Sequence, residues 1–285
     1  MRILMCILWS AISISLSAQS YSGDTWKDAS KKGKGNVSFA YVETPSFAYI
    51  DDSGKLTGIC VDIMNDFVVW LKESKKVEIS PKFVGDGSNF RGMFDKVKNS
   101  KGGVFGLGNI TITEERRKEV KFSQPFITNF AILITQSKVP TLAKFEDMPK
   151  TFVDLTAYTA KGTLNEKRIL DLKNNYYSDL KIVYTTTSQE TLEKIFEDPK
   201  GVGYLDLAFY LEAVQMKKGI KRHPIADKAA EQFGFIMPLN SDWTPVLDEF
   251  LKANGGYTTT AKYKSILLKH LGEAGMKLMQ SASKQ

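Results

Sequence analysis

The stretch Val104-Phe105-Gly106-Leu107-Gly108-Asn109-Ile110-Thr111-Ile112-Thr113-Glu114-Glu115-Arg116 decides the fold. Residues 104–112 read as a strand, and Thr113 can cap the short helix that follows. Glu114 and Glu115 stand in the first turn of that helix, where its dipole favours anions. A strand running straight into a helix N-terminus is half of a β–α unit. Chains made of such units form open α/β sheets whose ligands bind at the carboxyl ends of the strands.

The same alternation extends in both directions from this stretch. Upstream, 36–41 reads as a strand and Asp51-Asp52-Ser53-Gly54 as a turn between extended segments. Val61, Met64, Phe67, Val68 and Leu71 recur at helical spacing, 78–84 reads as a strand and 92–98 as a helix. Downstream, a long extended stretch over 130–138 leads to Pro140, and the alternation then repeats. Strands are expected over 152–159, 180–184 and 201–205. Helices are expected from Gly162-Thr163 to about 173, from Thr187 to 196, and from Asp206 to about 217. Thr187 with Glu190 has the form of a capping box. After an extended stretch at 233–238, two final helices follow, over 245–252 and 260–271. Two α/β units separated by two extended crossings predict two lobes joined at a hinge. The first lobe is expected over 36–136 and 235–285, with 137–234 inserted as the second.

The chain ends and composition narrow the setting. Arg2 precedes an uncharged, mostly apolar run over 3–16, and Ser17-Ala18 offers small residues for cleavage after Ala18. The run is shorter than the ~20 residues that span a bilayer, so 1–18 reads as a signal peptide and the mature protein as periplasmic. Residues 19–35, polar and rich in Ser, Gly and Lys, read as a leader before the fold starts. The 39 Lys and Arg outnumber the 32 Asp and Glu for a net charge of +7, but they are dispersed, with no basic run or nucleic-acid motif. A solvated basic surface is expected, and no nucleic-acid partner. Once Cys6 leaves with the signal, Cys60 is the sole cysteine, set in an apolar stretch where a free thiol behaves as a small hydrophobe. No cofactor motif is present, and a monomer is expected.

Several blocks of this sequence resemble the family 3 extracellular solute-binding proteins, which include the polar amino-acid receptors of bacterial ABC importers. The blocks are Pro45-Ser46-Phe47-Ala48-Tyr49-Ile50-Asp51 with Gly54-Lys55-Leu56-Thr57-Gly58 and Val61-Asp62-Ile63, then 109–116 with Phe122-Ser123-Gln124-Pro125-Phe126. Weaker matches are Lys161-Gly162-Thr163, Gly203-Tyr204-Leu205-Asp206 and Asn254-Gly255-Gly256-Tyr257. The resemblance implies a type II periplasmic-binding-protein fold, with delivery of a small, amino-acid-like ligand to an ABC permease in the inner membrane. It implies that Arg116 grips the ligand's α-carboxylate, helped by the region of Asn109 and Thr111, and that Asp206 takes the α-ammonium. It also implies that Phe90 packs on the ligand, with Phe47 or Tyr49 lining the same cleft. A guanidinium fork matches a carboxylate bidentately, and Gly162-Thr163 at a strand-to-helix turn offers further donors to the same anion. Asn109 stands where the family usually has Gly, and Leu164 where it has a small residue, so the pocket wall differs.

Each residue has a plainer role open to it. Asp206 could simply cap its helix, Arg116 could be one more solvated charge beside Arg117 and Lys118, and the aromatics could be core. Two other functions compete with transport. Some proteins of this fold resemble dehydratases acting on prephenate or arogenate, for which Glu43 and Asp206 are the candidate acids. A ligand-sensing module without transport is the third class.

Overall fold

In a computed structural model, which describes residues 21–85 and 89–282, the chain forms two α/β lobes, each around its own sheet. The expected signal peptide over 1–18 lies outside the described residues.

The first sheet runs in the order Glu78–Gly85, Lys34–Tyr41, Val104–Leu107, Ile236–Met237 and Lys121–Phe122. Its first three strands are parallel, and Ile236–Met237 is antiparallel to both neighbours. Val104–Leu107 is buried throughout, as a central strand covered on both faces must be. The helices Ile59–Trp70, Phe90–Lys98 and Thr244–Lys252 cover it. At its heart Trp243 is fully buried against Phe67, Phe105 and Trp26, and its indole N–H donates to the Asp24 carbonyl at 2.9 Å. Trp26 belongs to a helix, Trp26–Lys32, capped by Thr25 and lying inside the segment read above as a leader. Its polar sequence hid it; Trp26 and the buried Ala29 dock it, and Asp242 accepts the Trp26 and Lys27 N–H groups at 2.8 and 3.0 Å.

The second sheet runs Ile220–Arg222, Ile127–Gln136, Gly201–Asp206, Thr156–Ala160 and Lys181–Thr185, with Lys228–Phe233 also paired to Ile127–Gln136. Ile127–Gln136 is antiparallel to its neighbours, and the remaining pairs are parallel. The whole of Ile127–Gln136 therefore lies in the second sheet, and a first lobe reaching residue 136 does not match sheet membership. The chain leaves the first sheet after Phe122 and re-enters it at Ile236. A continuous apolar run reads the same whichever sheet buries it, so the sequence could not place this boundary. The two crossing segments hold each other. Ser123 N–H donates to the Phe235 carbonyl at 2.9 Å, Phe126 N–H to the Phe233 carbonyl at 3.0 Å, and the Phe126 and Phe235 rings stack at 4.4 Å.

The last helix, Ala261–Ala282, breaks at Gly272, whose φ of 66° and ψ of 178° glycine adopts without strain. Before the break it is moored to the first lobe, where His270 and Lys269 meet Asp62 at 2.8 and 2.9 Å. Beyond it, Gly275 lies so close to Leu211 of the second-lobe helix Leu207–Gln215 that a Cβ would come within 2.7 Å of the Leu211 side chain. Met276 and Met279 pack alongside. Among the described residues no helix is long and apolar enough to cross a membrane.

His223 is fully buried in the second lobe, edge-on to Phe152. Its Nδ1 accepts the Leu142 N–H at 3.0 Å, so the proton sits on Nε2, 2.8 Å from Thr135 Oγ1. Burial, with help from the charge on Lys221, pushes its pKa down from 6.5 to about 4. A base depressed on folding contributes stability that is intact above the unfolded pKa and is lost as pH falls through the folded one. Between pH 6.5 and about 4 the protein should lose on the order of 3 kcal/mol from this residue. Thermal melts across that window should show a smaller acid loss in His223→Gln than in the parent; equal slopes would exclude the buried imidazole as the cause.

Candidate ligand-binding cleft

The cleft is assembled where strand ends of the two sheets meet helix starts. After Val104–Leu107 the chain turns through Gly108, with φ 145°, and presents Asn109 and Thr111 before Thr113 caps the short helix Glu114–Arg117. Thr113 Oγ1 accepts the Arg116 N–H at 3.1 Å, which fixes the helix start and turns the arginine inward. Its guanidinium donates to the Thr111 carbonyl at 2.9 Å and lies 4.7 Å from the Phe90 ring centre. It has no carboxylate ion-pair partner among the described residues, whereas its neighbour Arg117 is exposed and reaches Glu114 at 3.6 Å. Burial pushes Arg116 down to about 10; the charge of Asp206 pulls it back up, while Arg91 and Arg168 lower it further. At neutral pH it remains a cation.

From the other lobe comes Asp206, at the end of the buried strand Gly201–Asp206. It stands at the N-cap position of the helix Leu207–Gln215, yet its side chain makes no capping bond. Its carboxylate is turned into the cleft instead. Oδ1 accepts from Asn129 at 3.2 Å and Oδ2 from Asn109. Desolvation raises its pKa, opposed first by the charge of Arg168 and then by neighbouring side-chain amides.

Two adjoining cavities share Phe90, Asn109, Thr163 and Ser188. One has the charged floor, with Thr111, Arg116, Asn165, Arg168 and Asp206. The other is lined by apolar side chains including Met93, Leu107, Ile110 and Phe209, together with Thr44, Thr186 and Thr187. Such a division suits a small ligand with a charged head and an uncharged body.

Of the residues expected at the site, Arg116, Asp206, Thr111, Asn109, Phe90 and Thr163 all line this cleft. Phe47 does not. It is buried in the first lobe, 5.5 Å from Phe233 in an edge contact, because its strand-like neighbourhood gave no sign of which face turns inward. Tyr49 borders the outer mouth of the cleft, in a cavity that shares Glu43, Thr44 and Gln189 with the apolar one, and its hydroxyl is 3.2 Å from His270. Gly162 lines neither of the two cleft cavities, and its N–H is already donated to Glu166 at 2.6 Å. Thr163 Oγ1 donates to the Ala160 carbonyl at 2.7 Å and accepts the Glu166 N–H at 3.3 Å. Glu43, the other candidate acid, accepts the Ile50 N–H at 3.2 Å and is held at the cleft's outer part.

Sequence reading passed over Asn165, Arg168, Asn129 and Glu231. Arg168 is nearly buried; it donates to Asn165 and forms an ion pair with Glu231. Asn129 is buried, bonds Asp206 and accepts the Leu207 N–H at 3.3 Å. One signal was available. Asn165 and Arg168 share a helix face with Ile169 and Leu172, and polar groups inside an apolar stripe mark either a network or a site.

The architecture is shared with solved structures at low identity. An ancestral arginine-binding protein bound to glutamine matches with a TM-score of 0.66 at 20% identity, covering 84% of this chain and 98% of that one. The arginine-, lysine-, histidine-binding protein ArtJ from Geobacillus stearothermophilus matches with a TM-score of 0.65 at 19% identity, covering 84% and 96%. The ancestral amino acid-binding protein AncCDT-1, a precursor of cyclohexadienyl dehydratase, matches with a TM-score of 0.66 at 18% identity, covering 86% and 98%. These likenesses establish the type II periplasmic-binding fold. With residues 37–273 matching the family as a whole, the chain belongs to the bacterial extracellular solute-binding proteins, family 3.

Proposed function

We propose that this solute-binding protein captures an amino acid or a close analogue between its lobes and presents it, as a periplasmic monomer, to an ABC permease. The observation that carries the reading is the half-buried guanidinium of Arg116, with no carboxylate ion-pair partner among the described residues, on the cleft floor that Asp206 enters from the opposite lobe. A cation on one lobe and a carboxylate on the other complement the two charges of an amino acid only when the cleft is closed. Ligand contact with both lobes is what lets binding shift a hinge equilibrium. We read the role as binding rather than catalysis, with Glu43, the other candidate acid, held by a backbone N–H away from the charged floor. The amino-acid ligands of the structural neighbours agree with this chemistry.

Arg116→Ala leaves a ligand carboxylate buried without its main partner, which typically costs ~3–5 kcal/mol. At about 1.4 kcal/mol per decade, calorimetry should read a loss of affinity of roughly a hundredfold or more. Arg116→Lys should recover part of it, since an ammonium keeps the charge but not the fork. Arg117→Ala, at an exposed pair, should change binding by less than ~1 kcal/mol. Should Arg116→Ala bind like the parent, the carboxylate assignment fails.

Because burial holds Asp206 above the usual aspartate range, its charged form is lost earlier on acidification than that of an exposed aspartate. Affinity for an ammonium-bearing ligand should therefore fall as pH drops from neutral, starting above the ordinary carboxylate range. Arg168→Met removes the cation that opposes this shift and should move the fall to higher pH. An unchanged pH profile would remove Arg168 from the account. For export, N-terminal sequencing of the periplasmic fraction should find a chain beginning near Gln19; an intact Met1 in a membrane pellet would contradict the signal peptide.

A further inference from the structure

The side-chain amide of Asn109 donates to Asp206 Oδ2 and so ties the first lobe to the second across the cleft. Asp206 also accepts from Asn129, which belongs to a second-lobe strand and moves with it. Asn109 follows the first-lobe strand Val104–Leu107, so its bond with Asp206 must break when the lobes part. Of the two carboxylate oxygens, Oδ1 is held by Asn129 and Oδ2 by Asn109. Asn109 thus gives Asp206 what a ligand ammonium would give it: an N–H donor that reaches the carboxylate only in the closed state. Both Asn109 and Asp206 line the charged cavity, so the bond occupies space that a bound ligand would need.

We infer that Asn109 is a built-in surrogate for the ligand's ammonium, latching the cleft shut in the ligand-free protein and selecting for ligands able to displace it. A neutral amide brings no net charge to Asp206, whereas an ammonium sets a full positive charge against the carboxylate and adds a Coulombic attraction that the amide lacks. An ammonium therefore displaces the amide, while a ligand carrying only a carboxylate meets Arg116 but leaves the latch in place. The identity of the displacing group rests on the amino-acid reading above. The latch itself needs no ligand.

The test begins with protein stripped of any co-purified ligand by unfolding and refolding. Small-angle scattering on the ligand-free parent should give a compact particle, and Asn109→Gly a larger radius of gyration. Asn109→Asp keeps the side chain's size but sets a second carboxylate against Asp206, and should open the cleft as well; Arg117→Ala should leave the radius unchanged. Melting curves confirm folding, and Asn109→Ser serves if Asn109→Gly is too unstable. If the parent and the Asn109 variants share one ligand-free radius, the latch does not exist. With L-glutamine as probe, apparent affinity is reduced by the fraction of protein that is unlatched, so Asn109→Gly should bind about tenfold tighter if nine-tenths of the parent is latched. Unchanged L-glutamine affinity in a protein that has opened would overturn the selective role. L-glutamine binding to neither protein would count against the amino-acid reading, while the scattering result would still decide the latch.

Discussion

The structure depends on two short crossings that bond to each other and to the segment that carries Thr111. Backbone hydrogen bonds join 123–126 to 233–235, closed by the stacked rings of Phe126 and Phe235, and join 110–112 to 232–234. Among the described residues the two sheets share no strand, and Thr111 bridges to Phe233 between them, so rotation about the crossings turns on these few bonds. The strand ends that carry Asn109 and Asp206 meet beside this junction. A small angular change there is magnified into the opening or covering of a cavity.

The cleft solves a desolvation problem as much as a recognition problem. Burying a carboxylate without partners is costly, and Asp206 is kept in place by amide donors with the Arg168 cation near it. Arg168 is in turn neutralised by Glu231, so the second lobe balances its own charges. Arg116 is left as the cation whose balance has to come from elsewhere, supported by a carbonyl and an aromatic face that cost it little of its charge. The two lobes thus bring unequal charge to the cleft, a cation from the first and a compensated carboxylate from the second.

What the sequence disclosed and what it concealed follow from the range of each signal. Thr113 and Thr187 cap their helices as the local pattern requires, and Arg116 points inward because its own N–H is fixed by Thr113. Those are contacts within a few residues. The capping role open to Asp206 was excluded only by its bonds to Asn109 and Asn129, far away in sequence. Phe47 and Tyr49 sit two residues apart in one motif, yet one is core and the other borders the outer mouth. Arg168 looked like any solvated helix charge until Glu231 arrived from a distant strand. The helix at Trp26 and the true start of the second sheet at Ile127 were hidden for the same reason: the surfaces that decide them lie far away in sequence.

The broken C-terminal helix has a mechanical consequence. Its last turns approach the second lobe where Gly275 meets Leu211, with Met276 and Met279 packed on the core. Contacts of that kind have no preferred angle, and methionine adapts its shape at little cost. The segment can therefore act as a bearing, keeping apolar surface covered while the helix beneath it shears. Friction at this joint, and hence how fast the cleft cycles, would be set by residues that never approach the ligand.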